Sequence, residues 1–179
     1  MRTIVKHFSN PRLILVLGIL LMIDLVLFSI PSLAGSQSQI LAAAPDFTLP
    51  DIKGIYTPTY VYEFLAAIGP AGRHAYQMMH FTTDLALPLL YGLLLFAGIC
   101  RLVSLQPGIN INLPLVALLP MTSDLAENFC MVTITAKYPE VHTGLTWLAQ
   151  GFTLLKFSGF AICLAVIIFS IARHRKVKH

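Results

Sequence analysis

Asp124, Glu127 and Asn128 stand at i, i+3 and i+4 in an otherwise apolar stretch, so a helix there carries two carboxyls and an amide on one face. Tyr76, His80, Asp84, Pro88 and Tyr91 form a second stripe at near-helical spacing. Thr146, Gln150, Thr153 and Lys156 form a third, and Asp24 lies in an earlier apolar run. Groups of these types do three kinds of chemistry. Acids and histidine exchange protons, carboxylates hold cations or cationic ligands, and polar pairs fix the register of packed helices.

The surroundings of these residues are apolar throughout. Of 179 residues, 56% are hydrophobic and 11% charged, against the roughly one quarter charged in soluble domains. Four apolar runs, near 13–34, 81–102, 113–133 and 145–171, each reach the roughly 20 residues a spanning helix needs. This predicts an all-α fold: a single domain over residues 1–179, built as an integral membrane bundle of four transmembrane helices. Ser32-Leu33-Ala34-Gly35 resembles a cleavage site, but Leu13–Ile30 is 18 residues long, beyond the roughly 7 to 15 of a signal-peptide core. The first helix is therefore expected to be retained.

Basic residues set the expected orientation. Arg2, Lys6 and Arg12 precede the first run, Arg101 sits at the second connection, and Arg173, Arg175, Lys176 and Lys178 follow the last. The positive-inside rule makes those regions cytoplasmic, with both termini inside a multi-pass protein of the inner cell membrane. The opposite loops carry Lys53, Arg73 and Lys137. The net charge of +4 is thus a topology signal, and no nucleic-acid partner is expected.

In the first outer connection, 36–50 reads as irregular chain. Thr57 as N-cap, Pro58 at the first helical position, apolar Val61, Phe64, Leu65 and Ile68, and Gly69 at the end predict a short amphipathic helix over 58–68. Pro70 can start the next helix, which projects outward and enters the membrane near Phe81. Pro107-Gly108 and Pro139 mark two short turns, and Pro88 is expected to kink the second helix. Cys100, Cys130 and Cys163 lie in separate apolar segments and are assigned neither disulfide nor metal.

An ionised side chain at a helix centre costs about 2.5 to 3.5 kcal/mol on insertion scales. Helical rise puts Asp24, Asp124 and Lys156 near the midplane, with Glu127 and Asp84 nearer the outer face. Asp24, Asp84, Asp124 and Glu127 cannot all be ionised beside Lys156 alone, because a second carboxylate next to a first tends to keep its proton. Either Lys156 pairs with Asp124 or Glu127 and the other acids stay neutral or reach water, or a cation, a cationic ligand or a proton relay compensates. His74 and His80 read singly as interfacial polar residues, since neither belongs to an HxxxH or HxxE pair.

The chain resembles a mostly bacterial family of small four-helix membrane proteins of uncharacterised role. The resemblance runs over about 55–160, through Tyr56-Thr57-Pro58, Gly69, Gly72, Arg73 and Tyr76, Asp84 with Pro88, Tyr91-Gly92, Asp124-Glu127-Asn128, Pro139, and Thr153 with Lys156. Leu87 departs from it, since an aromatic residue is expected before Pro88. The resemblance implies the four-helix topology and supplies no reaction. His80 and Asp84, followed by Glu127, are also similar in kind to the emopamil-binding and sterol isomerase superfamily, whose isomerases have a further helix and an aromatic-rich cavity.

Three readings follow. In the first, Arg73, Tyr76, His80, Asp84, Tyr91, Asp124, Glu127, Asn128, Thr153 and Lys156 line a pocket for a lipid head group, a small amphiphile or a cation. In the second, His80 or Asp84 is a general acid or base with Glu127 as its partner, acting on a lipid or sterol-like substrate. In the third, the cluster fixes helix register in an accessory subunit of a larger complex. No P-loop, nucleotide fingerprint, nucleophile elbow or metalloprotease motif is present, and no cofactor is assigned.

Overall fold

In a computed structural model the chain is helical over 80% of its length, with no strand among the described residues. The structure describes residues 1–106 and 108–178, with side chains through residue 174. Pro107, the side chains of Arg175, Lys176 and Lys178, and His179 lie outside the described residues. Four stretches are long and apolar enough to cross a membrane: Pro11–Ser29, Gly69–Ser104, Leu113–Lys137 and Thr143–His174.

A short helix, α1 (Arg2–Phe8), precedes the first long one, α2 (Pro11–Ser29). The Asn10 side chain accepts a hydrogen bond from the Arg12 amide, and Pro11 occupies the first helical position. Helix α2 stops short of the expected 34, because Ile30 precedes Pro31 and is held extended, with ψ 115°.

The segment 36–50, expected as irregular chain, contains α3 (Gln37–Ala43), capped by Ser36, and runs into α4 (Pro50–Lys53). Both rest on apolar anchors that the segment itself supplies, Ile40 and Leu49 being fully buried. Helix α5 (Pro58–Ala67) is close to its expected bounds, with Thr57 accepting from the Tyr60 amide and Val61, Phe64 and Leu65 buried. Gly69 then adopts φ +65°, which lets the chain turn directly into α6 (Gly69–Phe81).

Helices α6 and α7 (Thr83–Ser104) are separated at Thr82, with φ −121° and ψ −103°. The break therefore falls six residues before Pro88, which sits inside α7. A 3-10 turn (Leu113–Ala117) leads into α8 (Leu118–Lys137), and α9 (Thr143–Lys178) closes the chain.

Helices α8 and α9 form the most extensive pair, and α2 lies along α7. A Cβ on Gly159 would stand 2.8 Å from the backbone nitrogen of Pro120, so the α8–α9 approach requires a glycine there. Two apolar cores result. One gathers α3, α5 and α6 with the adjoining end of α8 around Ile40, Tyr56, Phe64, Tyr76 and Ile134, and the other joins α1 to the far ends of α7 and α9 through Val5, Phe96, Ile99 and Cys163.

Candidate functional site

Between the two cores lies a layer of buried polar groups. It begins on α6 and α7, where the break at Thr82 still leaves His80 and Asp84 in register. His80 Nδ1 lies 2.6 Å from Asp84 Oδ2, with His80 2% and Asp84 3% exposed. A buried contact this short to a carboxylate assigns the proton between them to Nδ1 when Asp84 is ionised. His80 Nε2 has no partner among the described residues.

Pro88 has no N–H, so the Asp84 carbonyl lacks its usual partner four residues on. Asn128 on α8 supplies it: Nδ2 donates to that carbonyl at 2.7 Å. The proline expected to kink the helix thus also opens a link between helices. A buried carbonyl freed by proline must find a donor in an apolar medium, and the amide four residues after Asp124 is placed to give one.

Lys156 on α9 is the hub. Its Nζ donates to Asp124 Oδ1 at 3.0 Å and to the backbone carbonyl of Asp51 at 3.2 Å. Glu127 Oε2 stands 2.7 Å away, an ion contact rather than an aligned hydrogen bond. The sequence left Asp124 and Glu127 as alternative partners; Lys156 meets both. Tyr91 donates its hydroxyl proton between Asp124 Oδ2 at 2.9 Å and the Pro120 carbonyl at 3.0 Å. Thr153 donates to Glu127 Oε1 at 2.5 Å, and the Tyr56 hydroxyl lies 3.4 Å from the same oxygen.

Two of these groups come from the outer connection and were missed in the sequence. Asp51 is 5% exposed, and its Oδ1 accepts from the Tyr76 hydroxyl at 3.3 Å. Tyr56 is held in place by Gln150, whose Oε1 accepts from the Tyr56 amide at 2.7 Å while its Nε2 donates to the Gly54 carbonyl at 3.0 Å. Burial pushes the Asp51 carboxyl up to about 6, with Asp84 adding to the rise and His80 and Lys156 opposing it. Burial and the neighbouring Glu127 hold the Tyr56 phenol above its usual range, so it remains a hydroxyl donor. The one available signal for Asp51 was its setting, an acid directly after Leu49-Pro50 and before Ile52 rather than in a polar run.

One predicted member, Arg73, stands apart. Arg73 donates to the Leu65 carbonyl at 2.8 Å and covers the Tyr138 ring at 4.1 Å, which stabilises the outer cap. Asp24 is buried on α2, yet its Oδ2 has no partner among the described residues. Asp51 joins Asp84, Asp124 and Lys156 around the cavity as a member not expected from the sequence, while Asp24 faces inward from α2 as expected. His80 is fully enclosed rather than interfacial, while His74 is exposed.

A cavity of about 290 Å³ opens onto this layer. It is lined by Asp51, Asp84, Asp124 and Lys156 together with Ser29 and Gln37 and the apolar Leu25, Phe28, Ile52 and Leu87. Asp51 and Asp84 each engage one carboxylate oxygen with Tyr76 or His80, and the second oxygen of each takes no hydrogen bond among the described residues. Leu87 is part of the lining, and a larger ring at that position would occupy part of the cavity. Among the described residues no group of three or more His, Cys, Asp or Glu is placed to hold a metal ion. No family model, curated protein or solved structure matches the chain.

Proposed function

We propose that the protein is a multi-pass membrane protein whose cavity binds the protonated amine of a small amphiphile. The observation that carries this is the lining, in which three carboxylates and one ammonium share the cavity with Leu25, Phe28, Ile52 and Leu87. Four carboxyls, Asp51, Asp84, Asp124 and Glu127, surround Lys156 and His80, so the site holds more acid than base. An added cation relieves that excess, and an apolar tail fits the apolar part of the lining. The charge distribution supports an orientation in the inner cell membrane with both termini cytoplasmic and the cavity toward the outer leaflet.

The test is thermal unfolding of the full chain in a neutral maltoside detergent with decylamine, decanol or decanoate. Decylamine should raise Tm while the other two do not, and Leu87→Phe, which fills space without touching a charge, should remove the effect. Equal shifts from all three, or none, would overturn the reading. A shift from metal chlorides and not from decylamine would move the site to inorganic cations.

Acid-base catalysis is the second reading, favoured by the short His80–Asp84 contact and the free Nε2 of His80. A neutral His80 would have its lone pair on Nε2, ready to take a proton from a substrate, while Asp84 fixes the tautomer. Its test is incubation with lipid extract in deuterated water. Deuterium incorporated into a lipid by the wild type and not by His80→Gln would establish it, and incorporation unchanged by that substitution would sink it.

A further inference from the structure

We propose a second ligand site at the end of the bundle opposite the acidic cavity: a slot for one anionic phospholipid, with its phosphate on Arg173. This inference rests on the membrane reading above but not on the amine cavity.

A cavity of about 430 Å³ lies between α9 and the connection that follows α7. Ile162, Val166, Phe169 and Arg173 recur at i, i+4, i+7 and i+11, a single stripe of α9, so the first three form an apolar track that ends at a guanidinium. Ile109 and Leu113 make the opposite wall. Gly108, at φ +76°, brings the loop backbone beneath the charge, where an added Cβ would sit 3.6 Å from Arg173 Nη2. The walls are fixed in advance of any ligand. Gln106 Nε2 donates to the Ser170 carbonyl at 2.9 Å and to the Leu102 carbonyl at 3.3 Å, tying the connection to α9.

Charge complementarity decides the occupant. Arg173 makes no ion pair or hydrogen bond to a side chain among the described residues. Of the chain's twelve Lys and Arg, eight lie before α2 or in its first turn, at the end of α7 or from residue 173 onward, and none of its eight Asp and Glu do. Among the described residues no carboxylate side chain at this end competes for the guanidinium. A zwitterionic lipid offers Arg173 a phosphate whose charge its own ammonium offsets, whereas a phosphodiester with a net negative charge pairs with it undiminished through a bidentate contact while its acyl chain covers Phe169, 63% exposed, and Ile162, 45% exposed. The cytoplasmic leaflet assigned to this end is the one that carries such lipids' attractive surface potential.

The experiment uses the full chain extracted in a neutral detergent, with native mass spectrometry after addition of phosphatidylglycerol or phosphatidylcholine bearing identical acyl chains. The wild type should retain phosphatidylglycerol over phosphatidylcholine by roughly fivefold, the contribution of one interfacial arginine. Arg173→Gln should abolish the preference and Arg173→Lys should keep most of it. Ala165→Trp, which narrows the slot, should lower retention of both lipids. Glycerol phosphate, which has the head group without the chains, should not displace the bound lipid. Equal retention of the two lipids by the wild type, an unchanged preference in Arg173→Gln, or displacement by glycerol phosphate would each overturn the proposal. Asp84→Asn should leave the preference untouched, which separates this site from the amine cavity. Recovery of the chain from the soluble fraction without detergent would sink the membrane reading itself, and that result is in hand before lipid is added.

Discussion

Lys156 carries more of the polar layer than any other residue, because three elements meet at one ammonium. Its contacts to Asp124 on α8, Glu127 on α8 and the Asp51 carbonyl on α4 mean that its removal strands two carboxylates in an apolar interior. Breaking one side of a buried ion pair costs about 3 to 5 kcal/mol, whereas removing both sides can be nearly neutral. Lys156→Met should therefore lower Tm strongly, Lys156→Met with Asp124→Asn should recover part, and adding Glu127→Gln should recover most. Strictly additive losses across that series would show that the three groups are not coupled. Asp51 yields a pH prediction. Its carboxyl is raised from 3.8 to about 6, so between those values the folded state binds more protons than the unfolded one. Stability from this group is then present below about 4 and is lost as pH rises through 6. Asp51→Asn should remove that decline, worth on the order of 3 kcal/mol, so the Tm of the variant should gain on the wild type between pH 4 and 7. Parallel Tm curves for the two proteins would refute it.

At the scale of elements, Pro88 and Asn128 act as one device. Proline deprives the Asp84 carbonyl of its intrahelical donor, and Asn128 replaces it from a different helix, so the α7–α8 register is tied to the one carbonyl of α7 that proline leaves short of a partner. Leaving a buried carbonyl unpaired costs about 1 to 3 kcal/mol. Asn128→Leu should lose that much, and adding Pro88→Ala should return part of it, because alanine restores an N–H to the same carbonyl. A double variant no more stable than Asn128→Leu would argue against the substitution of one donor for the other. The sequence contained both residues and their spacing but not this pairing, since the hydrophobic periodicity that locates helices says nothing about which helix lies beside Pro88. Helices with strong local signals were legible, α5 through Thr57-Pro58 and its apolar stripe, and the long apolar stretches through their length. Helix α3 and the turn of α4 were not, because their seven and four residues are held by the buried anchors Ile40 and Leu49 rather than by propensity. Asp51 was lost with them, and with it the cluster's link to the outer connection.

Over the whole molecule, polar chemistry sits between two apolar cores, and charge is segregated along the same axis. The acids lie in the outer connections, in the outer turn of α7 and in the middle of α2 and α8, while basic residues crowd the other end. Helix α1 adds an observation that the positive-inside rule does not use. It packs on α7 through Val5, and Phe8 meets Phe96 edge-on at 5.1 Å, so the basic N-terminal segment is fixed at the same end as the connection at 105–112 and the C-terminal part of α9. In the orientation proposed above these three regions share one side of the membrane. The outer cap occupies the other, where Tyr62 donates to the Glu140 carbonyl at 3.0 Å and accepts from the His142 amide at 2.7 Å. With the three buried native cysteines replaced by Ser or Ala, single cysteines at Asp46 or Glu140 should react with a membrane-impermeant maleimide in intact cells. Cysteines at Lys6 or Ser104 should react only after the cells are opened. Labelling of Lys6→Cys from outside together with protection of Glu140→Cys would invert the molecule. That outcome would also place the Arg173 slot in the outer leaflet, away from the potential that selects its lipid, so a single topology measurement bears on both proposed sites.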